Sequence, residues 1–249
     1  MSPRLAFALN AAYVAGRSTL AHFHTGVAVE NKQDSSPVTV ADREAESVVR
    51  RLIAEQFPGE PILGEEEGGN FNASERWVVD PIDGTKSFVC GVPLYATLLS
   101  YEQDGEPILG VCYFPALDEV VFAEKGTGAF WNGRPCRVSS NSDLSSSYVS
   151  SGSPGSMIDH GRWDGFRRII QATKGTRTWS DAYGHALVAT GRVDAMIDPV
   201  VKPWDISSLA VIVREAGGRF TDFSGSEKLS TEAISSNGTL HGEILQAFT

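Results

Sequence analysis

A chain of 249 residues that is 41% apolar and 21% charged has the makings of an ordinary globular core, as one large domain or two close-packed halves. Its formal charge of −10 argues against nucleic acid as a partner, because a phosphate backbone calls for a basic face. Cys90, Cys112 and Cys136 show no CxxC spacing, which argues against a disulfide framework or a zinc site and fits a reducing, cytoplasmic compartment. No apolar run approaches the roughly 20 residues needed to span a bilayer, so no membrane partner is expected.

In chain order, "LAFALNAAYVAG" could pass for a short signal segment. Asn10 interrupts it, however, and the apolar spacing continues past Arg17. The pattern predicts an amphipathic helix over 3–24, with His22 and His24 near its negative pole. A second helix is expected over 41–57, closed by Pro58-Gly59, then a short strand at Ile62–Leu63 and the acidic turn "GEEEGG". The apolar run from Trp77 reads as a strand ending at Asp80, because Pro81 lacks an N–H and pushes the residue before it toward an extended conformation. "QDGE" marks a hairpin, and a further strand follows at 119–124. The Ser/Gly-rich stretch "VSSNSDLSSSYVSSGSPGS" is the expected seam between an N-terminal half (1–135) and a C-terminal half (136–249), and it holds a strand at 147–151. Beyond it the spacing predicts helices at 160–173, 181–190, 204–217 and 239–248. Strands are expected at 176–179, 193–197, 219–222 and 233–236. Mixed helices and hairpins predict an α+β layered fold.

The chemistry concentrates where acids leave apolar segments. Asp80 and Asp83 flank Pro81-Ile82, so two carboxylates and the Ile82 carbonyl can converge beyond a sheet edge, a donor set suited to Mg²⁺. Gly84 permits a tight turn into "TKSF", which can start a short helix whose free N–H groups would face the same place, where a phosphate is favoured. Taken alone, a DxxDG is more often an Asp-rich turn, and Asp205 at a helix start is more often a cap. Glu65 at a strand end and Asp205 in "PWDISSLAVIVREAGG" make one shared metal site the better account of all these acids.

"GEE", "WVVDPIDGTKSF" and "PWDISSLAVIVREAGG", with "PVTVADREAE" upstream, resemble the inositol monophosphatase-like family of Mg²⁺-dependent phosphatases over essentially the whole chain. The resemblance implies an αβαβα sandwich, a homodimer, and inhibition by Li⁺. It places the metal ligands at Glu65, Asp80, the Ile82 carbonyl, Asp83 and Asp205, with Mn²⁺ a possible substitute for Mg²⁺. It implies that Glu65 and Thr85 orient an attacking water, that Asp42 holds Thr85, and that Gly84 and Thr85 N–H groups receive the phosphate.

Asp181 and Asp198 are the expected substrate residues. In inositol phosphatases the position matching Asp198 carries an acid for hydroxyl groups, whereas the position matching Asp181 is small and neutral. An added acid suits a cationic alcohol, and "DAYGHALVATGRVD" resembles the histidinol-phosphate phosphatase branch. The alternative is that Asp181 caps a helix and Asp198 opens a turn, leaving an inositol or other polyol phosphate as substrate. A metal-binding regulatory protein without turnover is the alternative of another class. A nucleotide bisphosphate is disfavoured for want of a second basic cluster. His185 borders the pocket or packs in the helix, and Lys32, in "ENKQDSSP", and Lys86 are expected to be solvated.

Overall fold

The computed structural model describes residues 1–32, 36–179 and 181–249. The first layer is a helix pair. Helix α1 (Pro3–Thr19) starts on Ser2, whose hydroxyl accepts the Leu5 N–H at 3.1 Å, and it lays Leu5, Ala8, Ala11, Ala12 and Ala15 on the core. Its final turn stops at Thr19, short of the expected 24. After a small ribbon of β1 (Val29–Asn31) and β2 (Pro37–Thr39), helix α2 (Val40–Gln56) opens on a capping box: Asp42 Oδ2 accepts both the N–H and the hydroxyl of Thr39, at 2.8 and 2.7 Å.

These helices cover one face of a sheet built from β3 (Ile62–Gly64), β4 (Gly68–Gly69), β5 (Glu75–Asp83), β6 (Ala96–Gln103), β7 (Glu106–Phe114), β8 (Glu119–Glu124), β9 (Ala129–Trp131) and β10 (Arg134–Cys136). The strand order is β10-β9-β8-β7-β6-β5-β3-β4, with only β3–β5 parallel. Short helix α3 (Thr85–Val89) leaves the end of β5. Trp77, Val79, Leu99 and Val111 meet the α1 and α2 side chains in one apolar cluster.

A second sheet has the order β12-β11-β13-β15-β14, built from β11 (Tyr148–Ser151), β12 (Gly175–Arg177), β13 (Ala195–Asp198), β14 (Arg219–Thr221) and β15 (Ala233–Ser236). β11 pairs parallel to β12 and β13, and the remaining pairs are antiparallel. Between the sheets lie α6 (Asp181–Ala189) and α7 (Pro203–Glu215), whose Ala186, Leu209, Ala210 and Val213 share a core with Leu98, Cys112 and Phe220. On the outer face pack α4 (Pro154–Asp159), α5 (Trp163–Ala172) and α8 (His241–Gln246), through Met157, Phe166 and Ile244. The layers therefore run α, β, α, β, α, as expected.

Other local features also depart from expectation. β5 runs through Pro81 to Asp83, and its pairing with β6 shifts register between Asp80 and Asp83. The irregularity accommodates a residue without an N–H, and the Pro81 carbonyl accepts the Thr97 hydroxyl at 2.8 Å. The helix expected over 160–173 starts later, at Trp163, after the left-handed Gly161 (φ 68°), and the short helix α4 before it was not foreseen. The β9–β10 hairpin went unforeseen.

Helix α7 lies directly on β7. A Cβ at Gly110 would collide with the Ser208 carbonyl oxygen, so helix and strand backbones touch. The Ser207 hydroxyl donates to Glu102 Oε1 at 2.7 Å and accepts from Ser100 at 2.7 Å, pinning the helix to β6.

Candidate active site

Three carboxylates meet where β5 ends and α7 begins. Oxygens of Asp80, Asp83 and Asp205 all lie within 4.8 Å of one another. Each acid has one oxygen engaged by a backbone N–H. Ile82 donates to Asp80 at 3.1 Å, Ala182 to Asp83 at 2.6 Å, and Lys202 to Asp205 at 2.8 Å. The last bond is a capping interaction, so Asp205 both caps α7 and belongs to the cluster. Burial, reinforced by neighbouring negative charge, raises Asp80 and Asp83 well above the ordinary carboxylate range and brings Asp205 up to about 7. An all-oxygen cluster whose burial and mutual repulsion both oppose ionisation fits a hard divalent cation, which would supply the missing positive charge.

Glu65 follows β3, and its N–H donates to the Val79 carbonyl at 3.2 Å. Its negative charge contributes to the raised pKa of Asp80. Lys32 is not solvated as expected: its ammonium donates to Glu65 Oε1 and Glu66 Oε1, both at 2.7 Å. Burial works against the Lys32 charge, but the two glutamates outweigh it and raise its pKa. Residues 33–35 of the same "ENKQDSSP" stretch lie outside the described residues. Glu66 is brought up to about 7, chiefly by burial.

The turn after β5 has the expected form. Gly84 (φ 79°) precedes α3, and the Thr85 hydroxyl lies 3.1 Å from the Ile82 carbonyl and 3.4 Å from Asp42 Oδ1. In this geometry the Ile82 carbonyl therefore faces Thr85. Asp42 is fully buried behind Thr85, and burial raises its pKa.

On the opposite wall, Asp181 is the first residue of α6, in left-handed backbone (φ 59°). Its Oδ2 comes within 3.1 Å of where a Gly84 Cβ would sit, so the carboxylate lies against the turn after β5. Asp198 ends β13 beside Gly152. Burial first, then the charges of Asp181 and Asp205, push it up to about 8. The cleft has a volume of about 750 Å³, and every anticipated site residue except Asp42 lines it. Lys86 lines it as well. His185 satisfies both readings: it borders the cleft yet is packed, with Nδ1 2.8 Å from the Ser235 hydroxyl.

Sequence reasoning missed Glu46, Glu66 and Trp204. Glu46 stands one helical turn after Asp42 in "ADREAESVVRR", and that i, i+4 spacing of two acids was the available signal.

The whole chain, residues 1–249, matches the model of the inositol monophosphatase family, and the protein belongs to that family. It is similar to a histidinol-phosphatase of Chlorobaculum parvum, at 38% identity over 99% of this chain and 97% of the relative. A histidinol-phosphatase of Mycobacterium tuberculosis is 41% identical over 87% of this chain and 86% of its own. The solved structure of an inositol monophosphatase from Thermotoga maritima superposes with a TM-score of 0.92 at 37% identity, covering 99% of this chain and 97% of that one. The protein is thus a phosphoric monoester hydrolase of a metal-dependent family that acts on small-molecule phosphates. Among the described residues no helix is long and apolar enough to cross a membrane.

Proposed function

We propose that the protein hydrolyses L-histidinol phosphate to histidinol and phosphate, with Mg²⁺ as its working metal and Mn²⁺ as a substitute. The observation that carries the substrate is the pair Asp181 and Asp198 in one cleft. Two acids facing a leaving alcohol would crowd a neutral polyol with negative charge, whereas an ammonium and a protonated imidazole match them. A cation seated there would draw the proton from Asp198 and reverse the shift that burial imposes. The similar histidinol-phosphatases support this choice, and the similar inositol monophosphatase supports the polyol alternative.

In this reading Glu65, Asp80, Asp83, Asp205 and the Ile82 carbonyl hold the metal. When bound, the ion supplies the positive charge that eases ionisation of a water and neutralises the ester phosphate. Glu65 and Thr85 orient the attacking water, and Glu65 accepts its proton. Asp42 fixes the Thr85 rotamer from behind. The Gly84 and Thr85 N–H groups receive phosphate oxygens, and Asp181 and Asp198 hold the departing alcohol. Residues 1–135 and 136–249 would act as one catalytic unit, because Asp205 and the substrate acids come from the second half. A homodimer in the cytoplasm, sensitive to Li⁺, completes the expectation from family resemblance.

The test is phosphate release with Mg²⁺ across histidinol phosphate, inositol 1-phosphate, glycerol 2-phosphate and fructose 1,6-bisphosphate. We expect kcat/KM to be at least about 10-fold higher for histidinol phosphate, the equivalent of one charged contact. A preference for inositol phosphate transfers the assignment to polyols. No release from any ester would favour a regulatory metal-binding protein.

A further inference from the structure

Helix α2 presents two wholly buried acids one turn apart, Asp42 and Glu46. Asp42 reaches the turn after β5. Glu46 reaches the other acid-bearing loop, between β3 and β4. Its Oε2 accepts the Glu66 N–H at 2.8 Å, and its Oε1 accepts the Glu67 N–H at 3.1 Å and Arg50 Nε at 2.8 Å. Arg50 in turn donates through Nη2 to the Gly68 carbonyl at 2.6 Å. At Gly64 there is no room for a Cβ, which would collide with the Glu46 carboxylate. Residues 64, 66, 67 and 68 are therefore all fitted to one carboxylate and its guanidinium partner, and Glu65 stands in their midst.

We propose that Glu46 is a positioning residue for the metal-facing carboxylate of Glu65. This rests on the metal site assigned above. A fully buried glutamate needs compensation, and here two backbone N–H groups and one guanidinium supply it. The same three bonds leave the loop little freedom to rotate, so the direction of the Glu65 side chain is inherited from α2. Because Asp42 holds Thr85 from the same helix face, one rigid element fixes the spacing between the two groups proposed to orient the attacking water. Partners that orient ligating carboxylates typically change metal affinity or activity by about 10- to 100-fold when replaced.

The experiment uses the full chain with two substitutions that disturb the contact differently. Glu46→Gln keeps the shape but turns an amide N–H₂ toward groups that themselves donate. Gly64→Ala leaves the Glu46 charge and displaces its carboxylate. Arg51→Ala, on the exposed face of α2, is the control. Mg²⁺ and Mn²⁺ binding is measured by calorimetry without substrate, and kcat and KM are measured at saturating metal. We expect both variants to bind either ion about 10-fold or more weakly and to lose kcat with KM changed less than about 3-fold, while Arg51→Ala matches the wild type. If folded Glu46→Gln and Gly64→Ala bind and turn over like the wild type, the positioning role is overturned. Should Glu46→Gln not fold, Gly64→Ala decides alone. Should neither fold, hydrogen exchange in the wild type decides: protected Glu66 and Glu67 amides in the metal-free protein support the clamp, and exchange as fast as in an open loop overturns it. A wild type that binds neither ion would defeat the metal assignment itself, an outcome distinct from equal binding by all variants.

Discussion

The cleft end of the first sheet and the body of the second handle buried polarity differently. At the cleft end of the first sheet, Asp80 and Asp83 stand beside Asp205 and Glu65, and their repulsion is offset only in part, by backbone N–H groups and by the Lys32 ammonium on Glu65. Away from the cleft, where its β13 ends in the buried Asp198, the second sheet buries Ser150, Ser151, Ser235 and Ser236 with His185 and His241, groups able to stay neutral. There, His185 Nδ1 lies 2.8 Å from the Ser235 hydroxyl, and His241 bridges Ser236 at 2.8 Å and Thr221 at 2.9 Å. Neutral pairs of this kind satisfy a core at small net cost, whereas clustered charge does not. The first arrangement suits a bound cation, whereas the second carries no charge of its own, even though the Ser151 hydroxyl and His185 Nε2 are buried without a hydrogen-bond partner among the described residues. Charge marks the working end of the molecule, and hydroxyl–imidazole pairing marks its support.

The contrast breaks most visibly if the acidic end is not a metal site. Chelation should abolish turnover, and Asp205→Asn should lower kcat/KM roughly 10³-fold or more, as expected when charge stabilisation of the reacting group is lost. The metal-free Asp205→Asn protein should melt at or above the wild-type temperature, because asparagine keeps an acceptor for the Lys202 N–H while removing one repelling charge. Full activity in excess chelator, or a sharply lowered melt, would return Asp205 to a capping role alone.

Next in size is Asp181→Asn. Loss of a charge-assisted contact of about 1.5–3 kcal/mol should reduce kcat/KM for histidinol phosphate roughly 10- to 100-fold and leave glycerol 2-phosphate nearly unchanged. Equal losses on both esters would remove Asp181 from substrate selection.

The second sheet should reveal itself through pH. Burial lowers His185 to about 3, and burial with the nearby Arg219 charge lowers His241 to about 4, both below the unfolded value of about 6.5. The unfolded chain takes up these protons first. The stability associated with the two neutral imidazoles is therefore complete above about pH 6.5 and lost as pH falls toward 4. At pH 5 the loss is about 2 kcal/mol for each histidine. Denaturant titrations should show His185→Gln with a flatter decline across that window, and an unchanged slope would contradict the neutral-pair description.

The smallest effect belongs to the exposed ion pair of Lys125 and Glu106, 2.9 Å long with both side chains more than 60% exposed. Lys125→Ala should leave melting temperature and turnover where they were, and a measurable drop in either would show surface charge doing more than solvation.

Much of this contrast was legible beforehand. The strands at 119–124 and 233–236 fall where their apolar runs and flanking turns put them, and the cleft gathers the acids that the DPIDGT and WD segments advertise. The unforeseen parts depend on partners distant in the chain. Pro81 signals a strand end locally, but the register shift against β6 lets the strand continue past it. Lys32 reads as a surface cation until the fold brings Glu65 and Glu66 to it. Glu46 looks like one more charge on an amphipathic helix, because the amides it accepts lie 20 and 21 residues away.

Gly110 sets the spacing of this arrangement. With the backbones of α7 and β7 in contact there, any side chain at that position would lever the helix outward and carry Asp205 away from Asp80 and Asp83. Asp181 and Asp198, the acids proposed to hold the alcohol, lie outside that contact. A glycine that lines no part of the cleft thus governs the distance between the acids that do, and a side chain there should cost the reaction itself and not its choice of alcohol.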